Sequence, residues 1–171
     1  MKTMFLGGAR SGKSRLAQAA AEAHGGPLHY LATAEARDDE MTERIARHRN
    51  DRGGRWRTVE CPLTLPEAID ACTVGVVLVD CLTLWLTNVM LGEHDLAERS
   101  DALLGAMRQC AVPLYVVTNE VGLGIVPVHP LGRAFRDAAG RLNQQVAAVM
   151  DATYFVAAGL VLPLQRFPIG E

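Results

Sequence analysis

Short apolar runs alternate with longer amphipathic segments along the 171 residues of the chain. The short runs are rich in Val, Leu and aromatic residues and are bounded by Gly, Pro or charged residues, a pattern that predicts buried β-strands. They lie at residues 2–6, 28–33, 74–80, 113–119 and 152–158. Because the runs are almost continuously hydrophobic, both faces of each strand should be covered, as they are in a parallel sheet.

Helical periodicity fills the intervals between these strands, at residues 13–24, 38–50, 95–109 and 131–150. In the last two segments, apolar residues three and four positions apart form one hydrophobic stripe on each helix. The stripes comprise Leu96, Leu103, Leu104 and Met107 in one helix, and Leu131, Phe135, Ala138, Leu142, Val146 and Val149 in the other. The alternation predicts an α/β doubly wound fold, with helices on both faces of a mainly parallel sheet.

Two segments do not fit this alternation. Residues 50–57 (NDRGGRWR) are predicted to form a loop, and the tail after Gly159 could be either a final hairpin or an irregular cap. The sequence contains no internal repeat, low-complexity tract or interdomain linker. Residues 1–171 are therefore expected to form a single domain.

The composition is typical of a soluble globular protein, with 49% hydrophobic and 21% charged residues. A formal net charge of −2 gives no reason to expect nucleic acid or an anionic membrane as a partner, and no apolar run is long enough to span a bilayer. The four cysteines form no C-x-x-C pair and have no histidine at zinc-ligand spacing, so buried free thiols are expected. These observations favour a cytoplasmic protein.

Residues 7–14 (GGARSGKS) match the phosphate-loop motif G-x-x-x-x-G-K-[ST], and they lie between a predicted strand and a predicted helix, as the motif requires. Glycines allow successive backbone N–H groups to point toward a phosphate, and the helix N-terminus adds the positive end of its dipole. Lys13 can reach the β- and γ-phosphates, and Ser14 can ligate Mg²⁺. The run VVLVD ends in Asp80, which can hold the same ion directly or through water. Lysine occurs only at positions 2 and 13 among seventeen basic residues, which suggests that position 13 requires it.

A phosphate loop serves kinases, molecular motors and switch GTPases alike. The guanine motif N-K-x-D is absent from this sequence, and TNEV at 118–121 resembles it only distantly. A nucleic-acid motor should carry a basic stripe or aromatic stacking residues, whereas arginines here concentrate within 44–57 and aromatics are 5% of the chain. A small-molecule kinase fits best, with a motor or regulatory ATPase as the alternative. Asn119 and Glu120 end a predicted strand, at the edge where open α/β sheets bind ligands.

One histidine stands among arginines in residues 41–52 (MTERIARHRNDR). On a helix over 38–50, His48 follows Met41 and Ile45 at the edge of an apolar stripe, and Arg44 lies one turn before it. Surrounding cations disfavour the imidazolium, so a neutral ring nitrogen could attack a nucleotide α-phosphate while the arginines stabilise the anionic transition state. The local sequence also permits a boundary histidine on a solvated basic helix face.

Seven segments, in order along nearly the whole chain, resemble one enzyme family. They are GGARSGKS (7–14), YLATAEARDDEM (30–41), RIARHRNDR (44–52), WRTVECP (56–62), LVDCLTLWLTN (78–88), VTNEVGLGIVP (117–127) and FRDAAGRLNQ (135–144). Together they are similar to the bifunctional adenosylcobinamide kinase/adenosylcobinamide-phosphate guanylyltransferases of cobalamin biosynthesis. The chain departs from that pattern at position 47, which is Arg where some relatives carry a second histidine, and in a tail longer than expected after Gly159.

The resemblance implies two reactions on a P-loop NTPase-type fold. The chain would phosphorylate adenosylcobinamide with ATP or GTP, and would then transfer GMP from GTP to that phosphate through a GMP–histidine intermediate, giving adenosylcobinamide-GDP. The implied cofactor is Mg²⁺, and the implied assembly is a homotrimer. A kinase that lacks the nucleotidyl transfer remains the alternative.

The motif and the resemblance together predict a set of site residues. The catalytic residues are His48 and Lys13, and the Mg²⁺ ligands are Ser14 and Asp80. The predicted nucleotide contacts are Gly7, Gly8, Ala9, Arg10, Ser11, Gly12, Lys13, Ser14, Ala32, Thr33, Ala34, Arg49, Asn50, Asp51, Arg52, Glu60 and Asp80. Of these, residues 32–34, 49–52 and 60 follow from the resemblance alone.

Overall fold

The computed structural model describes residues 1–35 and 53–166. The strands are β1 (Lys2–Gly7), β2 (Leu28–Ala32), β3 (Trp56–Glu60), β4 (Val76–Asp80), β5 (Leu114–Asn119), β6 (Ala152–Ala157) and β7 (Leu160–Leu164). The helices are α1 (Lys13–Glu22), α2 (Leu65–Asp70), α3 (Leu82–Leu91), α4 (Leu96–Gln109) and α5 (Pro130–Val149), with a short 3₁₀ helix at Gly53–Arg55. The strands form one seven-stranded sheet in the order β3-β2-β4-β5-β1-β6-β7. Strands β1 to β6 run parallel, and β7 runs antiparallel to β6.

Helices cover both faces of the sheet. Alternate residues of β4 divide between two hydrophobic clusters, with Val77 and Val79 in one and Leu78 in the other. The first cluster also contains buried residues of α2, α3, α4 and α5, and the second contains Ala17 and Ala21 of α1. Burial on both faces explains why the strands read as continuous apolar runs. The predicted doubly wound α/β architecture is confirmed.

The strongly patterned segments are confirmed with ends that differ by one or two residues. The five predicted strands are β1, β2, β4, β5 and β6, and three of the predicted helices are α1, α4 and α5. The fourth predicted helix, at residues 38–50, lies outside the described residues.

Three described elements escaped prediction. The predicted loop at 50–57 is wrong at Trp56 and Arg57, which begin β3, while residues 50–52 lie outside the described part of the chain. Strand β3 has only five residues and follows a glycine-arginine run, so its apolar content is weak. Helix α3 is apolar nearly all round, and therefore shows no polar face from which a helical period could be read. Helix α2 has only six residues.

The structure also tests the predictions for the segment after Gly159 and for the hydrophobic stripe of α5. Ala158 and Gly159 both have positive φ, at 52° and 76°, and the resulting tight turn joins β6 to β7. The hairpin alternative is therefore confirmed for residues 160–164. The predicted core position of Leu131 is wrong, because its side chain is 57% exposed in the first turn of α5. Farther along α5, Leu142 and Val146 are buried as predicted.

The cysteines agree with the prediction of free thiols. Cys61, Cys72 and Cys81 are buried and Cys110 is half-buried, and all four are unpaired. Within residues 1–35 and 53–166, no helix has the combined length and apolarity of a bilayer span.

Candidate active site

The phosphate loop joins β1 to α1 at the carboxyl edge of the sheet. Two of its residues have left-handed backbone conformations, Arg10 with φ 56° and Gly12 with φ 98°. A Cβ atom at Gly12 would also lie 3.2 Å from the Cα of Gly159, so position 12 requires glycine for conformation and for space. Helix α1 begins directly after this bend with no side-chain cap on its N-terminus. The N–H groups of its first turn are therefore suited to an anion.

The first glycine of the motif has a different role, because it allows close packing. A Cβ atom at Gly7 would lie 2.3 Å from the carbonyl oxygen of Val156 in the neighbouring strand β6. The far side of the loop is fixed to the turn after β6, where the backbone N–H of Gly159 donates to the carbonyl of Ser11 over 2.8 Å. The Ser11 hydroxyl is buried and has no hydrogen-bond partner among the described residues. The loop is thus held between β1 and the β6–β7 turn.

Lys13 is the buried cation of the site. Its side chain is 7% exposed, and its Nζ donates to the carbonyl oxygen of Gly8 over 3.0 Å. This contact folds the side chain back over the loop that precedes it. A desolvated ammonium group at this position interacts strongly with an anion, since little water remains to screen it.

Asp80 ends β4, two strands from β1, and its carboxylate is held in place. The Tyr30 hydroxyl donates to Asp80 Oδ2 over 2.8 Å. Burial raises the pKa of the adjacent Cys81 thiol to about 11, the charge of Asp80 adds to that rise, and the charge of Lys13 opposes it. Asp80 directly precedes Cys81 in the chain, and Lys13 begins α1 at the same carboxyl edge of the sheet, so the charges of both residues act on that thiol.

The predicted contact Thr33 fixes the backbone after Asp80. It is fully buried, its hydroxyl donates to the carbonyl of Cys81 over 2.7 Å, and it accepts from the Cys81 N–H over 2.8 Å. Asn88 of α3 donates to the Thr33 carbonyl over 2.8 Å. The Thr33 side chain thus binds protein backbone, while Ala32 and Ala34 on either side of it are half-buried at the same edge.

A second polar network holds the end of β5, which is paired with the start of the phosphate loop through Gly7 and Asn119. The Asn119 N–H donates to the Thr83 hydroxyl over 2.8 Å, and Asn143 of α5 donates to the Asn119 carbonyl over 3.1 Å. The Asn119 side-chain oxygen is buried and has no partner within the described residues. Both backbone groups of Asn119 are therefore fixed, while its amide oxygen stays available to a ligand. Sequence reasoning placed Asn119 at this edge but missed Thr83 and Asn143; polar residues on otherwise apolar helix faces were the available signal.

A cavity of about 390 Å³ opens beside the phosphate loop. Its walls are residues 8–11 of the loop, Glu120 and Leu123 after β5, and residues 155–158 at the end of β6. The Glu120 N–H donates to the carbonyl of Gly7 over 3.1 Å, which attaches this wall to the loop. A ligand bound at the loop can therefore extend into a space that has both a carboxylate and apolar side chains.

Among the remaining predicted residues, the structure describes Glu60, which does not lie at the phosphate loop. Glu60 ends β3 at the same edge, but it lies four strand spacings, or about 19 Å, from β1. His48 and residues 49–52 lie outside the described residues, so their positions stay predictions.

Two oxygen donors near the phosphate loop are of the kind that binds Mg²⁺. Mg²⁺ prefers oxygen ligands and often takes one or two from the protein and the rest from phosphates and water. Asp80 offers a carboxylate and Ser14, in the first turn of α1, a hydroxyl. The described residues contain no group of three or more His, Cys, Asp or Glu side chains that could enclose a metal. The oxygen atoms of Asp80 and Ser14 are donors of the kind that a nucleotide-bound Mg²⁺ takes from protein.

Relatives align with 94–99% of the chain. The bifunctional adenosylcobalamin biosynthesis protein CobP of Pseudomonas aeruginosa is 44% identical over 99% of this chain and 100% of its own length. The bifunctional adenosylcobalamin biosynthesis proteins CobU of Salmonella typhimurium and Escherichia coli are 38% and 40% identical, each over 94% of this chain and 97% of its own length.

Among solved structures, the P4 protein from bacteriophage phi6 in complex with ADP aligns with a TM-score of 0.48 and 15% identity. The alignment covers 94% of this chain and 52% of that one, so the present chain spans about half of its length. Residues 3–164 match the family described as cobinamide kinase / cobinamide phosphate guanyltransferase. With relatives at 38–44% identity that align almost from end to end, the chain belongs to this cobinamide kinase / cobinamide phosphate guanyltransferase family.

Proposed function

We propose that residues 1–171 form one domain that carries both activities of the family on adenosylcobinamide. The first reaction transfers the γ-phosphoryl group of ATP or GTP to the substrate hydroxyl, and the second transfers GMP from GTP to the resulting phosphate. The observation that carries the proposal is that one edge of the sheet holds the buried cation Lys13 at the start of α1 and, at the end of β4, the carboxylate of Asp80, which accepts a hydrogen bond from Tyr30. This arrangement is suited to a triphosphate and its metal ion.

In the phosphoryl transfer, the described residues act mainly by binding and neutralising charge. The N–H groups of residues 8–14 would hold the β- and γ-phosphates, and Lys13 would offset charge on the oxygens between them. Mg²⁺, held by Ser14 and Asp80 directly or through water, would supply further neutralisation of the triphosphate. The oxygen of the substrate hydroxyl forms a bond to Pγ and its proton passes to water, while the bond from Pγ to the β-phosphate oxygen breaks and the nucleoside diphosphate leaves.

In the guanylyl transfer, the attack moves to Pα and needs a separate nucleophile. A ring nitrogen of His48 would bond to Pα while the bond between Pα and the β-phosphate oxygen breaks, releasing pyrophosphate. A phosphate oxygen of adenosylcobinamide phosphate then bonds to Pα, and the bond to His48 breaks. We assign Arg49, Asn50, Asp51 and Arg52 to the same nucleotide, with Glu60 as a contact to its sugar or base.

Labelled GTP tests this proposal. GTP labelled at Pα should leave an acid-labile, base-stable label on the wild-type protein, and His48→Ala should abolish it. His48→Ala should still transfer label from Pγ to adenosylcobinamide, because the kinase step does not need the histidine. His94→Ala, which changes an exposed histidine, is the matched control and should label normally. If the wild type transfers the γ-phosphoryl group but takes up no label from Pα, the chain is a kinase without guanylyl transfer. If His48→Ala is labelled from Pα as strongly as the wild type, a GMP–His48 intermediate is excluded.

We further propose a homo-oligomer, with a trimer as the expected state. Strand β7 lies at the outer edge of the sheet among the described strands and exposes Leu160, Leu162 and Leu164 by 74%, 59% and 43%. Exposed apolar edge strands tend to pair with another chain. Light scattering should give three times the chain mass of 18.5 kDa, and Leu162→Lys should lower it. A monomeric wild type would exclude the assembly.

We also propose a cytoplasmic location. The free, buried thiols Cys61, Cys72 and Cys81 suit a reducing compartment, where disulfides rarely persist. Cell fractionation that places the protein outside the cytoplasm would contradict this.

A further inference from the structure

The loop after β5 exposes an unusual concentration of large aliphatic side chains. Within residues 121–131 (VGLGIVPVHPL), here called the apolar loop although its last two residues begin α5, there is no Asp, Glu, Lys or Arg. Leu123, Ile125 and Val128 are 81%, 98% and 87% exposed, and Val126 and Leu131 are each 57% exposed. Clustered exposed apolar side chains of this kind mark a binding surface more often than scattered single ones do.

Hydrogen bonds hold the apolar loop at both ends. At its start, the Glu120 N–H donates to the carbonyl of Gly7 over 3.1 Å, and the Gly122 N–H donates to Glu120 Oε1 over 2.5 Å. At its end, Arg133 of α5 donates to the carbonyls of Pro127 and Val128 over 3.0 and 2.5 Å. The backbone is thus fixed to β1 and α5, while the aliphatic side chains face outward.

The apolar loop is continuous with the candidate active site. Leu123 and residues 8–11 of the phosphate loop line the same cavity. An acceptor must bring its hydroxyl to the phosphate bound at the phosphate loop. The remainder of a large acceptor molecule would then lie beside the apolar loop. Aliphatic side chains have no charge or hydrogen-bond donor with which to bind phosphates. They can pack against a large ring that has an apolar periphery.

We propose that the apolar loop, residues 121–131, binds the corrin ring of the acceptor, with Leu123 and Ile125 as central contacts. This rests on the proposed function, because the acceptor is a cobinamide only if that function holds. A corrin ring carries methyl groups and amide arms, so aliphatic side chains can pack on the ring while the hydroxyl-bearing arm enters the cavity. The other exposed apolar surface, strand β7, presents an unpaired backbone edge among the described strands and is better suited to a second copy of the chain.

The double variant Leu123→Ser/Ile125→Ser tests the inference. Loss of two aliphatic contacts should raise the KM for adenosylcobinamide by at least about tenfold, with the Kd of the nucleotide unchanged. Val74→Ser is the matched control. Val74 is 62% exposed just before β4, at the amino ends of the strands and so away from the phosphate loop. Binding of adenosylcobinamide should be measured in parallel by equilibrium dialysis, using its own visible absorbance.

Each result has a distinct meaning. A raised KM and weaker corrinoid binding, with normal thermal stability and unchanged mass by light scattering, support the inference. An unchanged KM overturns it, and so does a fall in mass that accompanies the loss of activity, because the loop would then be an interface between copies. A wild-type protein that binds nucleotide but neither binds nor phosphorylates adenosylcobinamide overturns the proposed function itself.

Discussion

Replacing Gly7 by alanine should destabilise the fold through a backbone clash rather than through loss of a phosphate contact. The new Cβ would lie 2.3 Å from the carbonyl oxygen of Val156, where ordinary contact begins at 3.4 Å. Strand β6 must therefore retreat by about 1 Å from β1, although it is hydrogen-bonded to β1 and β7 on its two sides. Overpacking of this kind costs about 1–3 kcal/mol. For a chain of this length, the melting temperature should fall by about 2–12 °C.

Gly8→Ala provides the matched control, because a Cβ at Gly8 meets nothing within 4 Å. Thermal unfolding of both variants without nucleotide should show a clear fall for Gly7→Ala and a change within about 0.5 kcal/mol for Gly8→Ala. Because Gly8 lines the cavity, its variant should instead weaken nucleotide binding, measured by calorimetry. Equal melting temperatures for Gly7→Ala and the wild type would refute the packing role assigned to Gly7.

Three further predictions follow from buried groups. Lys13→Met should lower kcat of both transfers by about 10²–10³-fold without loss of thermal stability, whereas Lys2→Met should keep both rates; retained activity in Lys13→Met would contradict its role. Asn88→Leu leaves the buried carbonyl of Thr33 without its 2.8 Å donor, so urea denaturation should show a loss of about 1–3 kcal/mol in the free energy of unfolding. Burial raises the pKa of Cys61 from 9.0 to about 12, so the unfolded thiol ionises first and stability should fall as pH rises from about 9 toward 12. In Cys61→Ala that fall should be shallower, and an identical pH profile would contradict the assignment.

The sequence predicted those parts of the fold in which local pattern and tertiary environment agree. Strand β4 reads VVLVD because both of its faces are buried, and the phosphate loop is specified by its own glycines and by its place between a strand and a helix. Helix α3 was not predicted from the sequence, for the converse reason. Trp85, Leu86 and Val89 are buried on a helix with almost no solvent face, so hydrophobic periodicity carries no information there.

The candidate site divides in the same way. The positions of Lys13 and Asp80 at the carboxyl edge of the sheet could be predicted, because each belongs to a motif with a fixed position relative to a strand end, and their roles stay predictions. Thr83 and Asn143 could not, because they act on the backbone of Asn119 from helices 36 and 24 residues away in sequence. Gly7 was recognised as part of the motif, but its close contact with Val156 depends on β6, which pairs with β1 from the far end of the chain.

The carboxyl ends of β4 and β5, here called the rigid edge, can serve two reactions only if the groups that differ between the two reactions lie elsewhere. The strand ends carrying Asp80 and Asn119 are fixed by part-buried hydrogen bonds with Tyr30, Thr83 and Asn143, so they are poorly placed to move when attack changes from Pγ to Pα. The nucleophile must then be exchanged instead: an acceptor hydroxyl in one reaction, and in our proposal His48 in the other. Substitutions in the rigid edge should therefore reduce both transfers in parallel, whereas changes at His48 should separate them. A variant of the edge that loses one transfer and keeps the other would mean that the two reactions do not share one bound geometry of the triphosphate.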